Sequence, residues 1–227
     1  MLSKEHKAKH KKKLFGRKKI RALNAKNLNI INHIYPKYKF KINDNSINLD
    51  QIKKTELEIG FGSGEHLIYQ SINNRNTDFI GAEPFLNGIT KTIEEIERYK
   101  LKNIKIYNGD AMDLIAKLSD ETLSTIYILF PDPWPKKRHQ KRRLVNPQNL
   151  REFHRVLKKG GRLYIASDHP DYQYHILMNT INDSEFIWIC NKDEDFKKKP
   201  YFYPETRYES KAIENKALPI YLNFQKE

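Results

Sequence analysis

A single cysteine, Cys190, stands among 227 residues, which excludes an intramolecular disulfide framework and any zinc or iron–sulfur centre built on several thiolates. No apolar run approaches the length of a membrane span. The N-terminus carries charge without the apolar core of a secretory signal, and it is Lys-rich rather than Ser- and Arg-rich, which disfavours a transit peptide. Internal repeats are absent, and a reducing cytoplasmic setting is expected. Acids are outnumbered: 28 Asp and Glu face 42 Lys and Arg, for a net charge of +14. Residues 1–26 hold eleven Lys and Arg against Glu5 alone, so that segment contributes +10 and leaves +4 for the rest. Such a field favours a polyanion. An anionic membrane would also call for an amphipathic or lipid-anchored element, and none is evident. His6 and His10 sit four apart, but no metal site is expected of them.

Three segments are present. Residues 1–26 have too few apolar side chains to offset the entropy of ordering, which reads as a flexible basic arm. Residues 27–54 form an Asn-, Ile- and Lys-rich lead-in without a clear period. From residue 55 to 227 the pattern becomes regular. Short apolar runs at Leu57–Ile59, Phe79–Ala82, Ile104–Tyr107, Ile126–Phe130 and Leu163–Ala166 alternate with helical spacing at Leu86–Leu101 and Leu150–Leu157. This alternation predicts an α/β fold with a mainly parallel sheet and right-handed crossovers. Gly160-Gly161 is expected to stop a helix before the fifth strand. A helix near Tyr172–Ile181 and runs at Phe186–Cys190 and Ile220–Phe224 follow, the last two expected as an antiparallel pair at the sheet edge. His154 and His169 are read as structural, and Cys190 as a core residue.

The first strand leads into Glu58-Ile59-Gly60-Phe61-Gly62-Ser63-Gly64-Glu65. Gly60 and Gly62 would let the backbone approach a ligand at the carboxyl end of the strand, where open sheets bind. A dinucleotide fingerprint would place its third glycine one residue later and keep the loop clear for a pyrophosphate. Here Glu58 and Glu65 bracket the loop, a charge pattern that repels a pyrophosphate and attracts the sulfonium and amino cations of S-adenosylmethionine. Glu83 closes the second strand, 23 residues past Gly60, about where a carboxylate meets ribose hydroxyls. Asp110 follows the third strand, and its position before Ala111 suits an N-cap as well as an adenine contact. Asp132 follows the fourth. Four successive strand ends therefore each carry an acid.

Ile126 to Arg143 runs from an apolar strand through Pro131-Asp132-Pro133-Trp134-Pro135 into a basic stretch. The prolines stiffen a loop that presents one carboxylate and one broad ring, with Trp134 either stacking on a base or packing inward. Lys136, Lys137, Arg138, Lys141, Arg142 and Arg143 suit a phosphate backbone. These residues resemble the bacterial tRNA (guanine-N7)-methyltransferases, and the resemblance extends from about residue 55 to the C-terminus. It implies a Rossmann-like methyltransferase fold with helices on both faces, S-adenosylmethionine as cofactor, and guanine 46 of the tRNA variable loop as target. It implies a catalytic, cofactor-contacting Asp132, and cofactor contacts at Glu58, Glu83 and Asp110. Lys136, Asp168 and Thr206-Arg207-Tyr208-Glu209 would be substrate contacts, and Arg138, His139, Gln140, Lys141, Arg142 and Arg143 would meet RNA. Gln140 replaces the usual Asn. No obligate protein partner is expected, and the chain would act as a monomer or homodimer. Two rivals remain open at this stage. Asp-Pro-Trp also resembles the Asp/Asn-Pro-Pro-aromatic loop of amino-group methyltransferases, and a non-catalytic RNA-binding module could keep the same fold.

Overall fold

A computed structural model describes residues 23–42, 53–182, 185–214 and 217–227, with only the backbone of Tyr208, Lys211 and Ile213 described. Most of the basic arm therefore lies outside the described residues. Its last residues begin a helical stretch that occupies the lead-in: α1 (Ala25–Asn29), a π-helical turn (Ile30–Ile34) and α2 (Tyr35–Tyr38). Asn24 caps α1 by accepting from the Asn27 amide at 2.8 Å.

Seven strands follow: β1 (Lys54–Ile59), β2 (Thr77–Ala82), β3 (Ile104–Tyr107), β4 (Leu123–Leu129), β5 (Leu157–Ser167), β6 (Phe186–Trp188) and β7 (Ile220–Lys226). They form one sheet in the order β3-β2-β1-β4-β5-β7-β6. The first five pair in parallel, and β7 inserts antiparallel between β5 and β6. The antiparallel edge pair is thus as expected, although α8 (Glu194–Lys197) and α9 (Arg207–Glu214) intervene in sequence between its strands.

Side-chain alternation on the strands sorts two faces. Leu57, Ile59, Ile80, Ala82, Ile126, Ile128, Leu163 and Ile165 join a core with α5 (Ala111–Ile115), α6 (Pro147–Val156) and α7 (Pro170–Asn182). Phe79, Ile104 and Ile106 face the other way, toward α3 (Glu65–Asn73), α4 (Leu86–Arg98) and the lead-in. Apolar spacing explains the docking of α4, because Ile89, Ile93 and Ile96 share one stripe and are fully buried. The lead-in ends on the sheet edge, where the Phe40 amide donates to the Ile106 carbonyl at 2.8 Å and covers part of an otherwise open β3.

Two expectations fail. Helix α6 ends at Val156, and Gly160-Gly161 lies inside β5, where Lys158–Gly161 stand opposite Ser124 alone as a bulge. Gly160 takes φ +73, and a β-carbon at Gly161 would come within 2.7 Å of the Lys158 carbonyl oxygen, so the glycines serve the tight excursion of a strand. Cys190 is also only half-buried, beyond the end of β6. No described helix is long and apolar enough to cross a membrane.

Asn103 ties α3 to the starts of β2 and β3. Its Oδ1 accepts from the Ser71 hydroxyl at 2.8 Å, and its Nδ2 donates to the carbonyls of Ser71, Asn74 and Thr77 at 2.9–3.1 Å. Asn103→Ala strands these buried acceptors, and a loss of about 1–3 kcal/mol of unfolding free energy is expected in urea titration.

Candidate active site

The parallel register sets Ile59, Ala82, Tyr107 and Ile128 abreast. The loops that follow these strands therefore share the carboxyl rim of the sheet, at the point where strand order reverses between β1 and β4. Glu58 lies in β1 itself, Glu83 directly after β2, Asp110 three residues beyond β3, and Asp132 three residues beyond β4.

Glu83 is the clamp of the rim. Its Oε2 accepts from the Gly62 amide and its Oε1 from the Phe85 amide, both at 2.9 Å. Burial pushes its carboxyl above the usual range; the two amide bonds oppose that rise, and the negative charges of Glu58 and Asp132 add to it. The glycine loop fits beneath Glu83 because Gly60 and Gly62 take φ +70 and +58, and because a β-carbon at Gly88 would overlap the Gly62 carbonyl. Asp110 is the N-cap of α5, its Oδ1 accepting from the Met112 amide at 2.9 Å, so the capping alternative is realised.

Glu58 is buried and pairs with His66 on α3, Nδ1 to Oε2 at 2.8 Å. Sequence reasoning missed this partner, as it missed Glu56, which is buried two residues earlier on the same face and accepts from the Tyr127 hydroxyl at 3.0 Å. Burial and the nearby Glu56 hold the Tyr127 phenol well above its ordinary range, so it stays a donor. An E-x-E alternation on a strand was the available signal.

The loop after β4 is bent at two non-glycine residues, Phe130 at φ +53 and Trp134 at φ +44. Each such conformation costs about 1–3 kcal/mol and persists only where its surroundings over-determine it. The Phe130 amide donates to the Ala166 carbonyl at 2.8 Å. Arg143 supports the other end: it is 3% exposed, donates through Nε to the Pro133 carbonyl at 2.8 Å, and lies over the Tyr172 ring at 4.9 Å. Arg143 is therefore a strut of the loop rather than an RNA contact, a correction to the uniform reading of the basic run. Lys136, Lys137, Arg138 and Lys141 are exposed, the last three on a 3₁₀ helix (Lys137–Arg142). Arg142 covers the Trp134 ring at 5.0 Å and His139 meets its edge at 5.8 Å. Slight desolvation and the cationic Arg142, Arg138, Lys136 and Lys141 hold His139 below its usual range, so it adds little standing charge. Gln140 is half-buried, and its carbonyl accepts from the Arg143 amide.

Asp168 is half-buried just past β5. Thr206 caps α9, its hydroxyl accepting from the Glu209 amide at 3.3 Å, and Arg207 is exposed. Glu209, expected as a substrate contact, is engaged within the protein. It is buried, with Oε1 taken by the Tyr221 hydroxyl at 2.6 Å and Oε2 by Lys199 at 3.1 Å. Tyr208 contributes backbone to α9, and its side chain is outside the description. Among the described residues no cluster of His, Cys, Asp and Glu could hold a metal ion.

A family model described as "Putative methyltransferase" matches residues 52–221. A tRNA (guanine-N(7)-)-methyltransferase of Bartonella henselae is 37% identical over 232 residues, spanning 98% of this chain and 99% of that protein. One from Rhizobium johnstonii is 38% identical over 218 residues, spanning 93% and 94%. Among solved structures, an rRNA methylase from Streptococcus thermophilus superposes with a TM-score of 0.52 at 12% identity, over 78% of this chain and 89% of that one. A Streptococcus mutans protein solved in complex with SAH gives 0.51 at 11% identity, over 80% and 92%. At these identities the two structures speak for the fold alone.

The opposite environments of two neighbouring arginines separate support from grip. Arg143→Ala is expected to lower unfolding free energy by about 1.5–3 kcal/mol, as for a buried charge-assisted hydrogen bond, while Arg138→Ala stays within about 0.5 kcal/mol. Chemical denaturation of both variants measures the contrast.

Proposed function

This chain belongs to the tRNA (guanine-N7)-methyltransferase family, and from that premise we propose that it methylates N7 of guanine 46 in the tRNA variable loop, with S-adenosylmethionine bound at the carboxyl rim of the sheet. The observation that carries the reading is the gathering of Glu58, Glu83, Asp110 and Asp132 along the carboxyl rim by parallel register, in a protein of net charge +14, beside an exposed cationic 3₁₀ helix. Like charges gathered at one rim favour a cationic ligand there.

The residues present fit that donor. Each oxygen of Glu83 takes one backbone N–H and keeps a lone pair for a ribose hydroxyl. Gly60 and Gly62 open the backbone beside it, and Asp110 stands along the same rim. When bound, the cofactor supplies an activated methyl group. Guanine N7 carries a lone pair and no proton, so the protein need not provide a general base. Its task is to orient the base in line with the methyl group, an effect worth up to about 7–11 kcal/mol. Methylation makes the guanine cationic, and Asp132, on a loop stiffened by Pro131 and Pro133, stabilises that charge more in the transition state than in the ground state.

Asp168 accepts from the guanine N1–H and N2–H₂ donors, the edge that distinguishes guanine from adenine. Glu209 joins it only by exchanging Lys199 or Tyr221 for the base. Thr206, Arg207, Tyr208 and Lys136 complete the substrate contacts implied by the family. Arg138, Lys141 and Arg142, with the basic arm, hold phosphates, so selectivity rests on tRNA shape.

Borohydride and aniline cleavage of enzyme-treated tRNA should break the chain at position 46; cleavage elsewhere, or none, would refute the target. Asp132→Ala should abolish methyl incorporation while filter retention of tRNA survives, and joint loss of both would reduce Asp132 to a structural role. A pH signature also follows from Glu83. Its carboxyl is raised in the free protein, and a cation beside it favours the ionised form, so donor binding expels the proton. Calorimetric affinity for S-adenosylmethionine should therefore fall as pH drops through that raised value, by up to about tenfold per unit. Glu83→Gln should bind more weakly above that value, converge with the unaltered protein at low pH, and lose the slope.

A further inference from the structure

Over β4 and β5, a loop covers the sheet face that on β1 bears Glu58. The segment between α8 and α9 lays Phe202 and Tyr203 on it. The Tyr203 ring sits 4.9 Å from His66, 6.3 Å from Tyr164 and 5.9 Å from Tyr221. Beneath that cover a continuous hydrogen-bonded path runs from the cofactor rim. Glu58 Oε2 is 2.8 Å from His66 Nδ1, His66 Nε2 is 3.1 Å from Gln70 Nε2, and Gln70 Nε2 is 2.8 Å from the Phe202 carbonyl oxygen. All three side chains are buried.

The direction of each bond is fixed. Asn74 Nδ2 donates to Gln70 Oε1 at 3.2 Å, which orients the amide and leaves its two N–H groups for His66 and Phe202. His66 Nε2 must then accept, so its proton is on Nδ1 and points at Glu58. Every donor and acceptor in the path has one role, and moving one member forces the next to move or to lose its partner. Three residues past Tyr203, the same segment enters the Thr206–Glu209 stretch.

We propose that His66 and Gln70 are positioning residues that couple the donor site to the tRNA-binding segment, so that occupancy at Glu58 favours the seated state of residues 199–209. The proposal rests on the reading of the rim as a methyl-donor site and extends it to the coupling between the two substrates. Re-aiming of the Glu58 carboxylate toward a bound cation shifts the imidazole. The imidazole shifts the Gln70 amide, and the amide moves the backbone carbonyl that anchors the cover. Because coupling is reciprocal, donor and tRNA raise each other's affinity by the same factor.

The test uses the full chain, a tRNA transcript and S-adenosylhomocysteine, which carries the same α-amino cation but transfers nothing. Filter binding of tRNA with and without saturating S-adenosylhomocysteine should differ by at least about fivefold in the unaltered enzyme. In Gln70→Met the donor to Phe202 is gone at similar volume, and the ratio should fall below about twofold, while S-adenosylhomocysteine alone binds nearly as before. His66→Asn keeps a donor for Glu58 but loses the acceptor for Gln70, and should lose the coupling in the same way. It provides a second reading should Gln70→Met fail to fold, as thermal unfolding would reveal. An unchanged ratio in the folded variants, or a ratio of one in the unaltered enzyme, overturns the proposal. Absence of any S-adenosylhomocysteine or tRNA binding by the unaltered enzyme would instead sink the methyl-donor reading and this coupling with it.

Discussion

Crowding carboxylates onto one edge of a sheet is unfavourable in the unliganded protein, and the surrounding architecture is arranged to keep them there. Glu58 and Asp132 both push the Glu83 carboxyl upward, a mutual repulsion that a flexible chain would relieve by moving apart. The backbone prevents it. Register across β1, β2 and β4 fixes the strand ends, and the amides of Gly62 and Phe85 grip both oxygens of Glu83. Glu83, held in this way, is preorganised: its carboxylate need not rearrange when a cation arrives, which is the condition under which electrostatic stabilisation is most effective.

The same logic explains why the loop after β4 tolerates unfavourable backbone. Phe130 and Trp134 both precede a proline and both take positive φ, a combination that local preference opposes. Strain of that size needs anchorage from outside the loop. It is supplied by the Ala166 carbonyl at one end and by the buried Arg143 guanidinium at the other. The basic stretch is thereby divided between cations that hold the protein together and cations that remain exposed.

Much of this architecture could be read from the chain. Apolar runs at strand spacing located β1 to β5, because strands buried on both faces are mostly apolar, β1 with its buried Glu56 and Glu58 being the exception. The acids at the rim were legible for a related reason: Glu58, Glu83, Asp110 and Asp132 each end or follow such a run, and parallel register does the rest. What was not legible depended on contacts distant in sequence. Nothing in Arg142-Arg143 indicates that the second side chain turns inward onto Tyr172 and Pro133. Glu209 was expected as a substrate contact, and its partners were hidden because the return of β7 brings Tyr221 to one oxygen and the loop after α8 brings Lys199 to the other. Gly160-Gly161 resembled a helix stop because glycine punctuates strands and helices alike, and only the pairing with β4 reveals the bulge.

The face bearing Glu58 has an unusual composition for the interior of an α/β sheet. Glu56, Glu58, His66 and Gln70 are buried there under Tyr127 and Tyr203, where the opposite face has aliphatic residues. Burying carboxylates is costly unless each is hydrogen-bonded, and here each is: Glu56 by Tyr127, Glu58 by His66 and, farther out, Glu209 by Tyr221 and Lys199. A polar core whose carboxylates are paired contributes less net stability than an aliphatic one of the same area, but it fixes a single arrangement. The cover is a loop, yet Tyr203 packs there against His66, Tyr127, Tyr164 and Tyr221, so its seating depends on ring contacts as well as on the carbonyl that Gln70 holds. The polar interior therefore sets one arrangement of the face that bears Glu58, while the aliphatic face behind the sheet keeps the strand ends still.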